Sequence, residues 1–349
     1  MPRAQIFSFI SIGELLAPVI GGVLYEKTGY MGVFGVAIGV LALDFLMRLL
    51  MIEKKTAAKY MPLEDSHATN PEANGVEEED STGVPNESDP LLSYPNSTTA
   101  SVAPRDDDDQ NLASYKIQEE PGRLAQVLPI TICFRSPRLV MALLMALVQA
   151  SLLALFDATI PTEAKDLLGF SSLEAGLLFI AMDVPYLVLG PLAGWAVDRY
   201  GAKPAAVLGF AYLVPALALL RLPAERWAGG GDRTGTIVLY SALLALNGVG
   251  LAIISSPSLV EASDVVQRYE KANPGFFGHN GPYAQLYGFN SVFFNLGLTV
   301  GPLAAGVLRD EIGYGNMNLV FAAVTGITAV LSFFIVGGRP AILDRSRQM

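Results

Sequence analysis

Apolar residues dominate stretches of about twenty positions, and polar residues are gathered between them. An α-helix of that length crosses the roughly 30 Å hydrocarbon core of a bilayer. The stretches lack the ten-residue alternation of a membrane β-barrel, and lipid offers no partner to unpaired backbone groups. We therefore predict an all-α polytopic membrane protein with eight transmembrane helices, at about 5–24, 30–52, 139–160, 173–197, 203–222, 236–256, 286–308 and 317–337.

One pattern of glycine and proline occurs in the first predicted helix and again in the seventh. Its members at 13, 18 and 22 return at 297, 302 and 306, a constant offset of 284 residues. A duplicated six-helix unit in parallel orientation explains such a repeat. The first two helices are then equivalent to helices 5 and 6 of a twelve-helix protein, and we expect about 150 further residues, enough for four helices, upstream of Met1.

A polar tract from about residue 56 to 124 divides the first two predicted helices from the other six. It contains the acidic runs 77–80 and 106–109, and this composition is typical of disordered segments. We predict four regions: two helices of an N-terminal bundle (1–55), a disordered acidic cytoplasmic linker (56–124), a six-helix C-terminal bundle (125–338) and a cytoplasmic tail (339–349). Inside the C-terminal bundle, the first half of the connection 260–288 is compatible with an amphipathic helix on the membrane surface.

Composition and charge support this picture and narrow the function. The chain is 52% hydrophobic and 16% charged, more apolar than a soluble protein of its size. Lysine and arginine favour the loops on one side, which places both termini in the cytoplasm. Cys133 and the separated histidines at 67 and 279 offer no catalytic or metal cluster. We expect no enzyme, no cofactor, no metal site and no nucleic-acid partner.

A short charged loop joins the fourth predicted helix to the fifth. Its spacing, G-x3-D-R-x-G-x-K, resembles the signature loop of the major facilitator superfamily. The resemblance implies that Asp198 and Arg199 act as a conformational latch between the two halves of a transporter. The alternative is a charged loop that merely obeys the positive-inside rule. The matching residues are Gly194, Asp198, Arg199, Gly201 and Lys203.

The repeated pattern is similar to the fifth-helix motif of drug:proton antiporters. Small residues let helices pack closely in a bilayer, and proline bends a helix where two halves must seal. A plain packing seam is the alternative for each residue taken singly. The first copy is Gly13, Ala17, Pro18, Gly21 and Gly22, with Ala17 where that motif has glycine, and the second is Gly297, Gly301, Pro302 and Gly306.

Within that superfamily, residues 23–26 and the run Asp157-x-Thr159-Ile160-Pro161 resemble the vesicular amine transporters and their fungal relatives. In those transporters an acid before T-x-P in the seventh helix takes part in cation recognition or proton coupling, and the resemblance implies this role for Asp157. The eleventh helix of that branch carries an acid where this chain has Asn290 and Ser291. Proton exchange must then rest on other residues.

Two further acids lie inside predicted helices. Asp183 stands two residues before Pro185, and Glu14 lies within the repeated pattern. An ionised carboxylate near the bilayer centre costs about 2.5 to 3.5 kcal/mol, so it is retained where it faces a cavity or a partner. A cap on a helix break is the alternative for Asp183, and interface water is the alternative for Asp157. The predicted substrate or proton pathway comprises Asp157, Asp183, Glu14, Asn290 and Ser291.

These observations predict a secondary transporter that works by alternating access. We expect proton-coupled antiport or efflux of a small drug-like or amine-like organic compound, with the lipid bilayer and protons as partners. The alternative is a truncated, non-transporting membrane protein that acts as a partner or regulator. Residues 87–92 ("ESDPLL") are similar to dileucine sorting signals, so the expected location is the plasma membrane or a vacuolar or endosomal membrane.

Overall fold

The computed structural model describes residues 2–50, 112–117, 128–224, 233–278 and 281–337, together with their side chains except those of 2–12, 14, 15 and 113. The described ranges contain helices and turns and no strand. Short 3₁₀ helices occupy Ala113–Tyr115, Pro129–Arg135 and Leu222–Ala224. The α-helices are α1 (Pro2–Leu50), α2 (Pro137–Leu168), α3 (Ser172–Tyr200), α4 (Ala202–Leu219), α5 (Arg233–Ile254), α6 (Pro257–Ala272), α7 (Tyr283–Ile312) and α8 (Tyr314–Ile335).

The all-helical membrane fold predicted from the sequence is confirmed. Long, apolar helical stretches capable of crossing a membrane lie at Leu16–Leu50, Pro137–Leu168, Ser172–Tyr200, Ala202–Leu219, Arg233–Ala272, Tyr283–Ile312 and Tyr314–Ile335. The described part of the chain thus holds 7 candidate spans. Eight were predicted, and the difference lies in α1, where the first two predicted spans run together as one stretch.

Within α1, Gly29 separates those two predicted spans. Its φ of 68° and ψ of −169° lie outside the helical region, and a positive φ is a conformation that glycine adopts without steric cost. The chain divides into two compact units, one of Met1–Phe34 with Asp109–Met349 and the other of Gly35–Asp108. In the second unit, residues 35–50 are helical with exposed side chains. The predicted region boundaries near 55, 124 and 338 lie outside the described residues.

Local sequence signals explain where several helices begin and end. Proline occupies the first turn of α2 and of α6, a position where its missing N–H costs nothing. Ser171 caps α3: its side chain accepts from the Glu174 backbone N–H, and the Glu174 carboxylate accepts from the Ser171 N–H. Gly169 ends α2 in the left-handed conformation. The turn between α2 and α3 is therefore specified locally.

Glycines allow backbone contact between neighbouring helices. At Gly297 and Gly301 of α7, the carbonyl oxygens of Leu147 and Ser151 on α2 occupy the space that a Cβ would need. Gly248 of α5 meets a carbonyl of α3 in the same way. Close backbone approach is the principal source of helix association in lipid, where apolar side chains gain nothing by leaving the solvent. The pairs α2–α7 and α3–α5 therefore form the framework that carries the site.

A polar cluster ties α6 to the beginning of α2, at the predicted cytoplasmic end. Arg138 donates from Nε to Glu261 Oε1 at 2.7 Å and from Nη2 to Asp264 Oδ2 at 2.8 Å. The Glu261 side chain is 3% exposed, so this is a buried ion pair. Residues 112–117, which the sequence placed in the linker, pack near α6 as well, because the Asn273 side chain bonds to the backbone of 115 and 117. The helix expected in the first half of 260–288 is thus present as α6.

Candidate functional site

A cavity of about 420 Å³ lies where α1, α2, α3, α5 and α7 meet. It is lined by Asp157 of α2 and Asp183 of α3, the two acids that the sequence placed in a transport pathway. Within the described part of the chain, the Asp157 side chain is exposed and that of Asp183 is half-buried. The remaining lining is almost entirely apolar or aromatic: Ala17, Pro18, Leu153, Phe179, Met182, Tyr186, Leu187, Leu251, Phe294 and Leu298.

Carboxylates among apolar and aromatic side chains suit a particular class of ligand. A carboxylate in an apolar wall attracts a cation or a proton, because either one neutralises a charge that is poorly solvated. The lining also contains the aromatic rings of Phe179, Tyr186 and Phe294, a type of side chain whose ring face attracts cations. Ligand cavities in proteins commonly combine such a lining with a few polar groups that set orientation.

Prolines place both acids beside gaps in a helical hydrogen-bond ladder. Pro161 has no N–H to donate to the Asp157 carbonyl four residues earlier, and Pro185 stands two residues after Asp183. Near the first gap, Thr159 Oγ1 donates to the carbonyl of residue 155 at 2.8 Å, and Thr162 Oγ1 donates to the Thr159 carbonyl at 2.9 Å. Hydroxyls are thus bonded to the backbone where the helix is weakest, as is common in membrane helices.

A second cavity, of about 560 Å³, adjoins the first toward the junction of α2 and α3. Pro18, Asp157 and Phe179 line both cavities. The second cavity also has Lys165 and Ser171 in its wall. Asp157 therefore stands at the junction of two spaces, one lined by another acid and the other by a base.

The first copy of the repeated motif packs against α3 in the wall of the second cavity. A Cβ at Gly22 would lie 2.5 Å from the Ser172 carbonyl oxygen, and one at Gly176 would lie 2.7 Å from the Pro18 carbonyl oxygen. Distances this short exclude any side chain. The backbones of α1 and α3 therefore touch here, and Pro18 and Gly22 are interface residues. By contrast, no described atom lies within 4 Å of a Cβ at position 13 or 21.

Of the other predicted pathway residues, Asn290 and Ser291 are described and do not line the cavity. Ser291 is exposed on α7, and Asn290 precedes Phe294 by one helical turn. The Asn290 Oδ1 atom is buried and has no hydrogen-bond partner among the described residues. The side chain of Glu14 lies outside the described residues. Their roles stay predictions.

The predicted latch loop is the tight connection between α3 and α4. Gly201 has a φ of 91°, and its N–H donates to the Val197 carbonyl at 2.8 Å. The Arg199 guanidinium lies 5.5 Å from the Trp195 ring centre. At the start of α4, the Lys203 amine lies 5.6 Å from the ring centre of Phe333 on α8. The loop is thus held by the backbone and by contacts between cations and aromatic rings.

The acid and the base of this loop are not paired with each other. Among the described residues, no ion pair joins Asp198 to Arg199. Gly194, one turn earlier on α3, lies near the connection between α5 and α6, since a Cβ there would be 3.7 Å from the Ser256 hydroxyl oxygen. The latch function of the loop therefore stays a prediction.

Sequence reasoning missed a charged cluster at the opposite, predicted outer end of the bundle. Arg309 of α7 bonds to Glu163 and Asp166 of α2, beside a hydrogen bond of 3.2 Å between the Tyr240 and Tyr314 hydroxyls. Charged residues at helix ends are expected to face water, so nothing in the sequence singled out Arg309 and Glu163, which lie 146 positions apart. A cavity of about 500 Å³ adjoins the cluster.

The lone cysteine, Cys133, does not line any of these three cavities. Cys133 is fully buried before α2, and burial raises the pKa of its thiol to about 12, which leaves almost no reactive thiolate at neutral pH. Among the described residues, no group of three or more His, Cys, Asp and Glu side chains is placed to hold a metal ion.

Comparison with known proteins matches a family model described as Major Facilitator Superfamily to residues 4–273 and 143–348. The MFS-type transporter ppzB of Metarhizium majus is 47% identical over 346 residues, which are 97% of this chain and 72% of that protein. Its counterpart in Metarhizium rileyi is 46% identical over 96% of this chain and 67% of that protein. An uncharacterized MFS-type transporter of Schizosaccharomyces pombe is 36% identical over 88% of this chain and 60% of that protein.

Proposed function

Since this chain belongs to the Major Facilitator Superfamily of membrane transporters, we propose that it carries a small organic cation across the membrane by alternating access, in exchange for protons. The coarse function, membrane transport of a small molecule, follows from the family. Antiport, efflux of drug-like or amine-like compounds, and the branch of drug:proton antiporters are proposed. Both termini are proposed to lie in the cytoplasm, at the plasma membrane or a vacuolar or endosomal membrane.

Asp157 and Asp183 line one apolar cavity, and this observation supports the proposal most strongly. Two carboxylates in the wall of one cavity give it negative charge, which attracts an organic cation or a proton. Substrate and proton therefore compete for the same negative charge. Competition of this kind is sufficient to couple exchange, since each ligand is released when the other binds.

The contact between α1 and α3 supports a seal on one side of the pathway. Gly22 and Gly176 allow the two backbones to touch in the wall of the second cavity. Alternating access requires such a contact to form in one state and to separate in the other. We propose that Pro18 and Gly22 form this seal, and that Asp198 and Arg199 act as a latch at the cytoplasmic end. The rest of the proposed pathway comprises Glu14, Asn290 and Ser291.

The chain spans between 60% and 72% of the length of these relatives. We propose that its helices correspond to helices 5 to 12 of the twelve-helix fold. The second candidate function is a non-transporting partner or regulator in the membrane. It is favoured by the open packing positions Gly13 and Gly306, where no described atom lies within 4 Å of a Cβ.

The test is proton-driven uptake of ethidium, a fluorescent organic cation, into vesicles that contain the chain. We expect Asp183→Asn and Asp157→Asn each to abolish ethidium accumulation driven by a pH gradient, because the amide neither holds a cation nor exchanges a proton. Asp310→Asn is the matched control, since Asp310 is exposed at the end of α7 and does not line the cavity. Accumulation that survives in both site variants overturns the proposed mechanism. Absence of accumulation by the unaltered chain favours the regulatory alternative.

A further inference from the structure

Two arginines bond to the tip of α2 beyond Pro161: Arg233 of α5 donates to the Leu168 carbonyl at 3.0 Å, and Arg309 of α7 bonds to two carboxylates. Arg309 Nη2 donates to Glu163 Oε2 at 3.3 Å and to Asp166 Oδ2 at 2.5 Å. The side chains of Arg309 and Glu163 are 20% and 10% exposed, so water screens this pair little. Removing one partner of such a pair leaves the other charge poorly solvated. Asp166 is 64% exposed, so the contact with Glu163 is the better shielded of the two and constrains the tip more.

The same helix, α7, also holds α2 on the other side of Asp157. Gly301 lies against the Ser151 carbonyl, where a Cβ would be 2.5 Å from the oxygen. Asp157 thus lies between two attachment points on one neighbour: a backbone contact six residues before it and an ion pair six residues after it. The segment of α2 that carries Asp157 is therefore fixed to α7 at both of its ends.

The gap at Pro161 leaves the tip with one backbone hydrogen bond fewer to the rest of α2. A continuous helix would hold its own tip through backbone hydrogen bonds, but the carbonyl of Asp157 has no amide donor at position 161. A helix bends readily at such a gap. The direction of the tip, and the path of the backbone around Asp157, then depend on the contacts that the tip makes with other helices. In the described structure Arg309 bonds to both tip carboxylates.

We propose that Arg309 is a positioning residue for Asp157. By holding Glu163 and Asp166, it fixes the direction of α2 beyond Pro161 and keeps the Asp157 side chain at the junction of the two cavities that this residue lines. The consequence for transport rests on the proposed role of Asp157 in binding a cation or a proton. The position of residue 157 does not depend on that role.

The test is the labelling rate of Asp157→Cys by a membrane-impermeant thiosulfonate, measured on the whole chain in lipid vesicles. Cys133 is the sole cysteine of the sequence and is fully buried, so it does not compete for the reagent. Adding Arg309→Gln frees the tip, and we expect labelling at 157 to become about threefold faster or more, as local opening increases. Arg309→Lys keeps the charge and should return most of the original rate.

Two controls separate positioning from general loosening. Leu187→Cys lines the first cavity from α3, and its labelling should be unchanged by Arg309→Gln. Asp310→Asn alters the neighbouring exposed charge and should leave both rates unchanged. An equal rise at 157 and 187, or no change at 157 in a folded Arg309→Gln protein, overturns the proposal.

A second set of variants keeps the test usable if Arg309→Gln does not fold. Glu163→Gln with Asp166→Asn should accelerate labelling at 157 as Arg309→Gln does, and the triple variant, which leaves no unpaired charge, should show no additional increase. Fully additive effects in the triple variant would show that Arg309 does not act through Glu163 and Asp166, and would contradict the proposal. If labelling responds as expected while Asp157→Asn still transports ethidium, the positioning claim stands and the proposed role of Asp157 fails.

Discussion

The two copies of the glycine–proline motif use opposite faces of the same pattern. In α7 the close contacts are made by Gly297 and Gly301, which pack against α2. In α1 the contacts are made by Pro18 and Gly22, which pack against α3. The equivalent positions are open among the described residues: a Cβ at 13 or at 306 would have no atom within 4 Å, and Ala17 is exposed.

One motif therefore carries two separate packing surfaces. One surface comprises the first and second small residues, 13 and 17 or 297 and 301. The other comprises the proline and the last glycine, 18 and 22 or 302 and 306. The first surface of the α7 copy builds the framework around the site, whereas the second surface of the α1 copy forms the proposed seal. We infer that the α7 copy of the motif stabilises the fold, whereas the α1 copy takes part in opening and closing the transport pathway.

The largest expected effect comes from filling the α2–α7 contact. Gly301→Leu places a side chain where the Ser151 carbonyl lies, and such overpacking costs about 1 to 3 kcal/mol or more. We expect a clear loss of folded protein, measured as a lower midpoint of thermal unfolding by size-exclusion chromatography in detergent. Gly306→Leu, at an open position of the same helix, is the control. Equal losses in the two variants would remove the distinction between the surfaces.

A smaller effect on stability, but a large one on transport, is expected from Gly22→Leu. The side chain would separate α1 from α3 at the Ser172 carbonyl, while leaving the contacts of α2 with α7 intact. We expect the thermal midpoint to fall less than in Gly301→Leu and proton-driven ethidium accumulation to be lost, because the proposed seal no longer closes. Gly21→Leu, a neighbour with no described atom within 4 Å of its Cβ, should retain transport. Loss of transport in both variants would argue against a seal located at Gly22.

The smallest effect is expected at position 17, where this chain has alanine and the antiporter motif has glycine. Ala17 is exposed, so Ala17→Gly should change stability by no more than about 1 kcal/mol, the difference in helix propensity. The reverse change at the equivalent position, Gly301→Ala, should cost more, because its Cβ meets the Ser151 carbonyl at 2.5 Å. Comparison of the two thermal midpoints checks this order. A greater loss in Ala17→Gly would show that position 17 belongs to a packed surface.

Much of the fold could be predicted because a bilayer restricts what a chain can form. Apolar stretches of sufficient length have to be helices, and their positions agree with the helices observed from α2 to α8 except α6, which is more polar and short. The break at Gly29 was also visible as a glycine between two apolar runs. The prediction of a separate first and second span agrees with the non-helical Gly29 between them, although the two apolar helices follow each other without a loop.

Less of the candidate site could be predicted. Asp157 and Asp183 were identified because a carboxylate inside an apolar helix is costly, and the structure places both in one cavity. Arg309 and Glu163 were missed because water can hydrate a charged side chain near a helix end, so that the sequence gives no reason to expect an ion pair. Their pairing depends on how closely α2 and α7 approach, which in turn depends on the glycines at 297 and 301.

The sequence alone determined the class of the molecule. This class follows from local properties: the length of apolar stretches, the spacing of glycine and proline, and acids inside apolar helices. A bilayer limits each of them, because it offers no partner to unpaired backbone groups and makes a charge costly. Tertiary structure alone decided which side of each motif is used, which two acids share a cavity, and which arginine holds the tip of α2. Those outcomes depend on contacts between residues far apart in the chain, such as the 146 positions between Glu163 and Arg309. Such contacts follow from the packing of whole helices, which no short stretch of residues specifies.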